Sequence, residues 1–195
     1  MPRSRAETDD TCGVDNGGAG FCWGHNFDGQ LGIGTYDTAL VPTAVAGGLT
    51  FSVISSGFEH SCGLVSGTPY CWGSDFAGQT GDTLGPNRDS LPDSLPGGWK
   101  FTSIAAGGAH TCALSNVAVA YCWGDNTFGQ LGTVTTGTPF PHLVSGGHAF
   151  IAIAAHAGTT CALSGTQAYC WGHNNTGAIG DGSKTDRIGP AAVVQ

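Results

Sequence analysis

Residues 160–172 read TCALSGTQAYCWG, and residues 111–124 read TCALSNVAVAYCWG. The Cys-Trp-Gly ending occurs four times in the chain, at intervals of 49, 51 and 48 residues, and begins at Cys22, Cys71, Cys122 and Cys170. A partner cysteine precedes each copy with nearly the same period, at Cys12, Cys62, Cys112 and Cys161. A repeat of about 50 residues with glycine and aromatic signatures is typical of β-propellers that are built blade by blade.

Each repeat has the same order of segments. An apolar strand such as FTSIAAG (101–107) comes first, the Cys-to-Cys hairpin follows, and a glycine-rich loop leads to a short strand such as VPTAV (41–45). Four short strands per repeat predict antiparallel four-stranded blades and an all-β fold. We expect a tail over 1–10 and one propeller-like domain over 11–195, with repeats at about 11–49, 50–99, 100–148 and 149–195.

The hairpin lengths predict which cysteines face each other. Three-residue arms leave two-residue turns at Ser66-Gly67 and Gly165-Thr166, and three-residue loops at 16–18 and 116–118. Either length places the two cysteines directly opposite each other across an antiparallel pair, at a distance that a disulfide tolerates. The alternative is a zinc site that uses His60 or His110 with the cysteines, but Asp10 and Thr159 stand at the histidine position in the outer repeats. Disulfides are therefore favoured, and no metal site is expected.

The number of strands leaves the architecture open. The apolar strand that starts a repeat occurs only three times, because the residues RAETDD before the first hairpin cannot form it. The chain is thus about one strand short of four blades. A closed four-bladed ring, an open arc completed by a partner and a fragment of a longer product all remain as alternatives.

Composition excludes several classes of function. The net charge is −8 and the chain has only six Lys and Arg residues, so it cannot form a basic face for nucleic acid or for anionic lipid. No stretch approaches the 18 or so apolar residues of a membrane span. The start, MPRSRAETDD, has no apolar segment of a signal peptide, although eight paired cysteines indicate an oxidising compartment. We therefore expect a periplasmic or extracellular bacterial protein, with a misplaced start or a processed chain.

The repeat resembles that of the regulator of chromosome condensation family, which forms seven-bladed propellers. The resemblance rests on Gly-x-x-His-x-Cys at 57–62 and 107–112, on the Trp-Gly of each hairpin, and on Gly-Gln-Leu-Gly at 29–32 and 129–132. The cysteine-paired form is similar to the exported bacterial branch. The founding member is an exchange factor for a small GTPase and binds chromatin, and another relative inhibits β-lactamases, but no exchange surface or basic arm matches here residue by residue.

No catalytic motif is present, and no cofactor is expected. The chain has no Gly-x-Ser-x-Gly, phosphate loop or His-Glu-x-x-His, and His60 and His110 occupy repeat positions that predict turn-stabilising histidines. The segment that fits the repeat least is 81–99. Its apolar side chains either pack over the blade or contact a partner, and they are Leu84, Leu91, Leu95 and Trp99.

The sequence therefore predicts a non-catalytic binding or scaffolding propeller. We expect an extrinsic, extracytoplasmic subunit of a larger multi-subunit assembly, for which a photosynthetic reaction-centre and antenna complex in a membrane is one example. The alternative functions are a secreted inhibitor or receptor-like binder of a soluble enzyme and, less favoured, an enzyme.

Overall fold

The computed structural model describes residues 9–82 and 87–194, and every regular element within them is a β-strand. The strands are β1 (Asp10–Val14), β2 (Gly20–Gly24), β3 (Ala39–Ala44), β4 (Val53–Ser56), β5 (His60–Val65), β6 (Thr68–Ser74), β7 (Arg88–Ser94), β8 (Phe101–Ala106), β9 (His110–Ser115), β10 (Ala120–Gly124), β11 (Thr138–Leu143), β12 (Ala152–His156), β13 (Thr159–Ser164), β14 (Gln167–Gly172) and β15 (Arg187–Ala192).

The strands form four antiparallel sheets in sequence order. Blade 1 contains β1–β3, and the four-stranded blades 2, 3 and 4 contain β4–β7, β8–β11 and β12–β15. The apolar strand that opens blades 2 to 4 is absent from blade 1 among the described residues. The predicted all-β repeat fold is confirmed.

Each hairpin has the predicted register. All four cysteine pairs are directly opposite across the second and third strands of their repeat, with 4.1 Å between the Cα atoms, and all four are disulfides. The two-residue turns are confirmed because Val65 pairs with Thr68 and Ser164 pairs with Gln167. Because tight pairing is a local property of each hairpin, the sequence was sufficient to predict it.

Each blade has two faces with different chemistry. The Cys face carries the two cysteines and the apolar residue two positions after the first, which is valine in blade 1 and leucine in the others. The Trp face carries the aromatic residues of the strand that ends in Cys-Trp-Gly. At the interface of blades 2 and 3, Cys62 and Leu64 of the Cys face pack against Phe101, Ile104 and Trp123 of the Trp face. The interfaces of blades 1 and 2 and of blades 3 and 4 repeat this pairing. The apolar core therefore lies between blades rather than inside them.

The four blades form an open arc. The Cys face of blade 3 is covered by blade 4, so Leu114 is 3% exposed, whereas the equivalent Leu163 of blade 4 is 40% exposed. Ala105 is likewise buried, and its counterpart Ala154 is exposed. In a closed ring, blade 1 would cover these residues. Of the predicted alternatives, the closed four-bladed ring is not what the described residues form.

A polar arrangement that we call the hydroxyl relay crosses the interface of blades 2 and 3 and that of blades 3 and 4. The hydroxyl of Thr111 in blade 3 donates a hydrogen bond to the main-chain oxygen of Gln79 in blade 2 at 2.7 Å. The same hydroxyl accepts from Nε2 of His60 in blade 2 at 2.9 Å. The next interface repeats both bonds with Thr160, Gln130 and His110. Because all these groups are buried, each needs its partner to offset the loss of water.

We expect Thr111→Val to destabilise the fold by about 2 to 4 kcal/mol, because two buried polar groups, His60 Nε2 and Gln79 O, lose their partner. Valine has nearly the same shape, so packing changes little. The matched control is Thr11→Val in blade 1, where the threonine is exposed; its expected cost is below about 0.5 kcal/mol. Urea unfolding in dilute solution measures both free energies, and equal effects of the two substitutions would contradict the relay.

Candidate binding surface

The loop between the last two strands of each blade is held by hydrogen bonds from its own side chains. We call residues 24–32, 73–81, 124–132 and 172–180 the tip loops. In the first, the buried amide of Asn26 donates to two main-chain oxygens at 2.8 and 3.0 Å and accepts from the Leu31 amide at 3.0 Å. The side-chain oxygen of Gln30 accepts from the Asp28 amide at 3.0 Å. The residues equivalent to Asn26 in the other loops are Asp75, Asn126 and Asn174.

These rigid loops present aromatic side chains to solvent. Phe27, Phe76 and Phe128 are 63%, 71% and 37% exposed, and they lie at or next to the same position of three consecutive tip loops. His25 stacks on Phe27 with 6.0 Å between ring centroids, and Phe128 stacks on His173 at 4.1 Å. Because equivalent loops lie on the same side of successive blades, the three tip phenylalanines share one side of the arc. Exposed aromatic side chains on preorganised loops are typical of protein-binding surfaces.

Sequence comparison identifies the family to which this repeat belongs. Two family models described as Regulator of chromosome condensation (RCC1) repeat match the chain, one at residues 18–64 and 119–163 and the other at residues 101–130. Together they cover more than half of the chain. The chain belongs to the regulator of chromosome condensation repeat family. No curated protein sequence gives a significant match.

Several solved structures superimpose on nearly the whole chain. Human WBSCR16 is 21% identical with a TM-score of 0.89, over 97% of this chain and 52% of that one. Yeast RCC1 (Prp20) bound to Kap60 is 25% identical with a TM-score of 0.84, over 96% and 47%. Prp20p from Saccharomyces cerevisiae, described with its binding to Gsp1p and histones, is also 25% identical with a TM-score of 0.84, over 96% and 49%. The chain spans about half the length of these structures.

The family motif Gly-x-x-His-x-Cys has a structural explanation in the hydroxyl relay. Since the Thr111 hydroxyl donates to Gln79, His60 must carry its proton on Nε2, and its Nδ1 is buried with no hydrogen-bond partner among the described residues. A Cβ atom on Gly57 would lie 2.7 Å from Cε1 of His60, so the glycine makes room for the imidazole ring. The histidine therefore connects two blades and is not merely part of a turn.

Burial holds both relay histidines in the neutral form. Desolvation lowers the pKa of His60 from 6.5 to about 3, and the nearby His110 adds to this effect. Desolvation also lowers the pKa of His110 to about 4, against a smaller opposing effect of Asp125. A proton on Nδ1 would place an unpaired charge in the core, which explains both directions.

The first repeat carries a carboxyl group where the second and third repeats have this histidine. Asp10 is 8% exposed, and neither of its carboxyl oxygens has a hydrogen-bond partner of good geometry among the described residues. Burial raises its pKa from 3.8 to about 7, the neighbouring Asp9 raises it further, and the hydroxyl of Ser56 partly offsets the rise. The interface between blades 1 and 2 therefore contains a carboxyl group that titrates near neutrality.

The apolar residues of the predicted partner loop lie in different environments. Leu91 is 49% exposed, but Leu95 is 4% exposed and belongs to the core between blades 2 and 3. Trp99 is partly buried and stacks on Phe101 with 5.8 Å between ring centroids. Leu84 lies outside the described residues. Among the three of these residues that the structure describes, Leu91 is the exposed one.

The tip phenylalanines were not singled out by sequence reasoning. A signal existed, because an aromatic residue follows the Asn or Asp of the tip loop in both GHNFDGQ (24–30) and GSDFAGQ (73–79). Within residues 9–82 and 87–194, no cluster of three or more His, Cys, Asp and Glu side chains could hold a metal ion. No helix in the same ranges is long and apolar enough to cross a membrane.

We expect His110→Gln to weaken the pH dependence of folding. A histidine with a lowered folded pKa binds protons preferentially in the unfolded chain, so its contribution falls as the pH drops below about 6.5 toward about 4. The substitution should remove about 1.4 kcal/mol per pH unit from the slope in that window. Urea unfolding over a pH series measures this slope, with the exposed His25→Gln as the control. An unchanged slope for His110→Gln would show that this histidine is not buried and neutral.

Asp10→Asn should stabilise the chain above pH 7 and have little effect below pH 4. With its folded pKa raised to about 7, the wild-type carboxyl group destabilises the fold progressively as the pH rises from about 4 to 7 and fully above that range. The expected gain above the folded pKa is about 1 to 3 kcal/mol. Thermal unfolding at acidic and at alkaline pH tests this, with the exposed Asp37→Asn in the same blade as the control. A gain that is equal at both pH values would contradict the buried, titrating carboxyl.

Proposed function

We propose that the protein is a non-catalytic binding and scaffolding propeller that acts as an extrinsic, extracytoplasmic subunit of a larger assembly. The compartment is supported by the four disulfides, which fit an oxidising location. We place it in a bacterial periplasm or outside the cell, on a membrane-bound complex of which a photosynthetic reaction-centre and antenna assembly is an example.

The observation that carries the proposal is the set of tip phenylalanines. Phe27 and Phe76 expose most of their rings, although both belong to loops whose backbone is held by hydrogen bonds to Asn, Asp and Gln side chains. Ordering such a loop on binding costs little entropy, so the buried aromatic area translates efficiently into affinity. A flexible loop with the same residues would bind more weakly.

The surface suits a protein partner better than a small molecule or nucleic acid. Phe27 and Phe76 expose most of their rings to solvent, which a partner with an extended surface can cover, and the net charge of −8 opposes contact with phosphate backbones. The yeast relative Prp20 was solved bound to Kap60 and studied with Gsp1p and histones, and we carry over from it only the general property of binding proteins.

The test is affinity purification of the tagged chain from the envelope of the producing bacterium after mild cross-linking. The wild type should recover a membrane-complex partner, and Phe27→Ser/Phe76→Ser should reduce recovery about tenfold or more, as expected for loss of aromatic anchors. The matched control is Val117→Ser/Ile151→Ser, which removes two other apolar side chains that are 71% and 68% exposed.

Three outcomes would count against the proposal. Recovery of the chain only as a free protein would refute the subunit role. Equal recovery with the phenylalanine variant would refute the tip loops as the binding surface. A partner found solely as a soluble enzyme would favour the inhibitor or receptor-like alternative.

A further inference from the structure

The Cys face of blade 4 is an unfilled copy of an interface that the chain forms three times. A hollow of about 360 Å³ lies on this face and includes Ala154, Cys161 and Ala178 in its walls. Ala178 is exposed, whereas the residues at its position in the other tip loops are 1 to 2% exposed: Gln30, Gln79 and Gln130. The face is thus shaped to receive the Trp face of another blade.

The Trp face of blade 1 is the matching surface, and it is also open. Its hydroxyl position, Thr11, is exposed, whereas the equivalent Ser61, Thr111 and Thr160 have no exposed surface. Trp23 is only partly buried, whereas the three other hairpin tryptophans are fully buried: Trp72, Trp123 and Trp171. The two ends of the arc therefore carry the two halves of the same interface.

The polar groups at the two ends also match. At the interface of blades 3 and 4, the main-chain oxygen of Gln130 accepts from the Thr160 hydroxyl at 2.8 Å and from Nε1 of Trp171 at 3.0 Å. In blade 4 the corresponding acceptor is the main-chain oxygen of Ala178. Because the acceptor is a main-chain atom, the replacement of glutamine by alanine at this position does not remove it. Thr11 and Trp23 of blade 1 supply the corresponding donors.

A second contact repeats at the outer edge of each interface. The first glycine of the GQxG segment has a positive φ and lies against the outer strand of the next blade, so that a Cβ on Gly78 or Gly129 would approach the Cα of Pro139 or Ile188 to 2.8 or 2.7 Å. Gly177 keeps this conformation with φ of 85° but meets no outer strand, and its nearest neighbour for such a Cβ is Ser183 at 3.8 Å. The equivalent outer-strand position in blade 1 is Leu40, which is 90% exposed.

We propose that copies of the 195-residue chain associate head to tail, with the Trp face of blade 1 in one copy seated on the Cys face of blade 4 in the next. The second copy is the occupant because its blade 1 carries the hairpin tryptophan, the hydroxyl donor, the indole donor and the apolar outer strand of such an interface. The opening strand, which supplies Phe101 and Ile104 in blade 3, is absent from blade 1 among the described residues. The contact is heterologous, so each copy uses one end as a donor surface and the other end as an acceptor surface. The association is independent of the partner bound at the tip phenylalanines.

The test blocks one end at a time. Thr11→Arg places a large charged side chain on the Trp face of blade 1, and Ala178→Arg does the same on the Cys face of blade 4. Both residues are exposed, so the fold of each copy should be retained. The matched control is Val134→Arg, at a site in blade 3 that is 90% exposed and away from both ends. Circular dichroism and thermal melts verify folding before the association is measured.

Sedimentation velocity over a concentration series gives the expected pattern. The wild type, the Val134→Arg control and the Phe27→Ser/Phe76→Ser chain should all increase in mass with concentration. Each blocked variant alone should remain a monomer. An equal mixture of the two blocked variants should form a pair and nothing larger, because only one intact donor end and one intact acceptor end are left.

Alkylation after mild reduction provides a second measurement. In the mixed pair, the Cys161–Cys170 disulfide of the Thr11→Arg copy should become protected, because its blade 4 face is the one that is covered. The same disulfide of the Ala178→Arg copy should stay as reactive as in the monomer, and the two copies differ in mass. A wild type that stays monomeric, blocked variants that still associate, or a mixture that fails to pair would each overturn the proposal.

Discussion

The arc depends on one main-chain oxygen in each of the first three tip loops, those of Gln30, Gln79 and Gln130. In blade 1 this is the oxygen of Gln30, and it accepts from the Ser61 hydroxyl at 2.9 Å and from Nε1 of Trp72 at 2.8 Å, both in blade 2. The oxygen of Gln130 likewise accepts from Thr160 and Trp171, and that of Gln79 accepts from Thr111. An error in one of these loops would therefore leave buried polar groups unpaired at the interface. The repeat therefore conserves the position of the loop backbone rather than the side chain at that position.

Gln30 links the exposed surface of its tip loop to the packing of the next blade. Its side chain fixes the loop that carries Phe27, and its main chain holds the following blade in place. A change that loosens the loop would thus affect both the exposed surface and the packing behind it. Such coupling limits how far the loop can vary, and variation is accordingly found at the tip residues, which are Phe27, Phe76, Thr127 and Asn175 at equivalent positions.

Local features of the fold could be predicted from the sequence, and features that depend on the next blade could not. The parity of the hairpins predicted the cysteine pairing and the turns at Ser66-Gly67 and Gly165-Thr166, since these rest on residues close in the chain. The partner of His60 is Thr111, 51 residues away, and no local pattern indicates it. The burial of Leu95 and the exposure of Phe76 are likewise set by packing between blades.

The disulfides have a mechanical consequence, since every one of them closes a hairpin within a single blade. Each of them spans 9 or 10 residues of sequence, and none links one blade to the next. Tension applied to the two ends of the chain would meet only non-covalent contacts at each blade interface, and the arc would yield one interface at a time while every hairpin kept its covalent closure. Each hairpin is therefore closed covalently, whereas neighbouring blades are held together only by non-covalent contacts and can separate from each other.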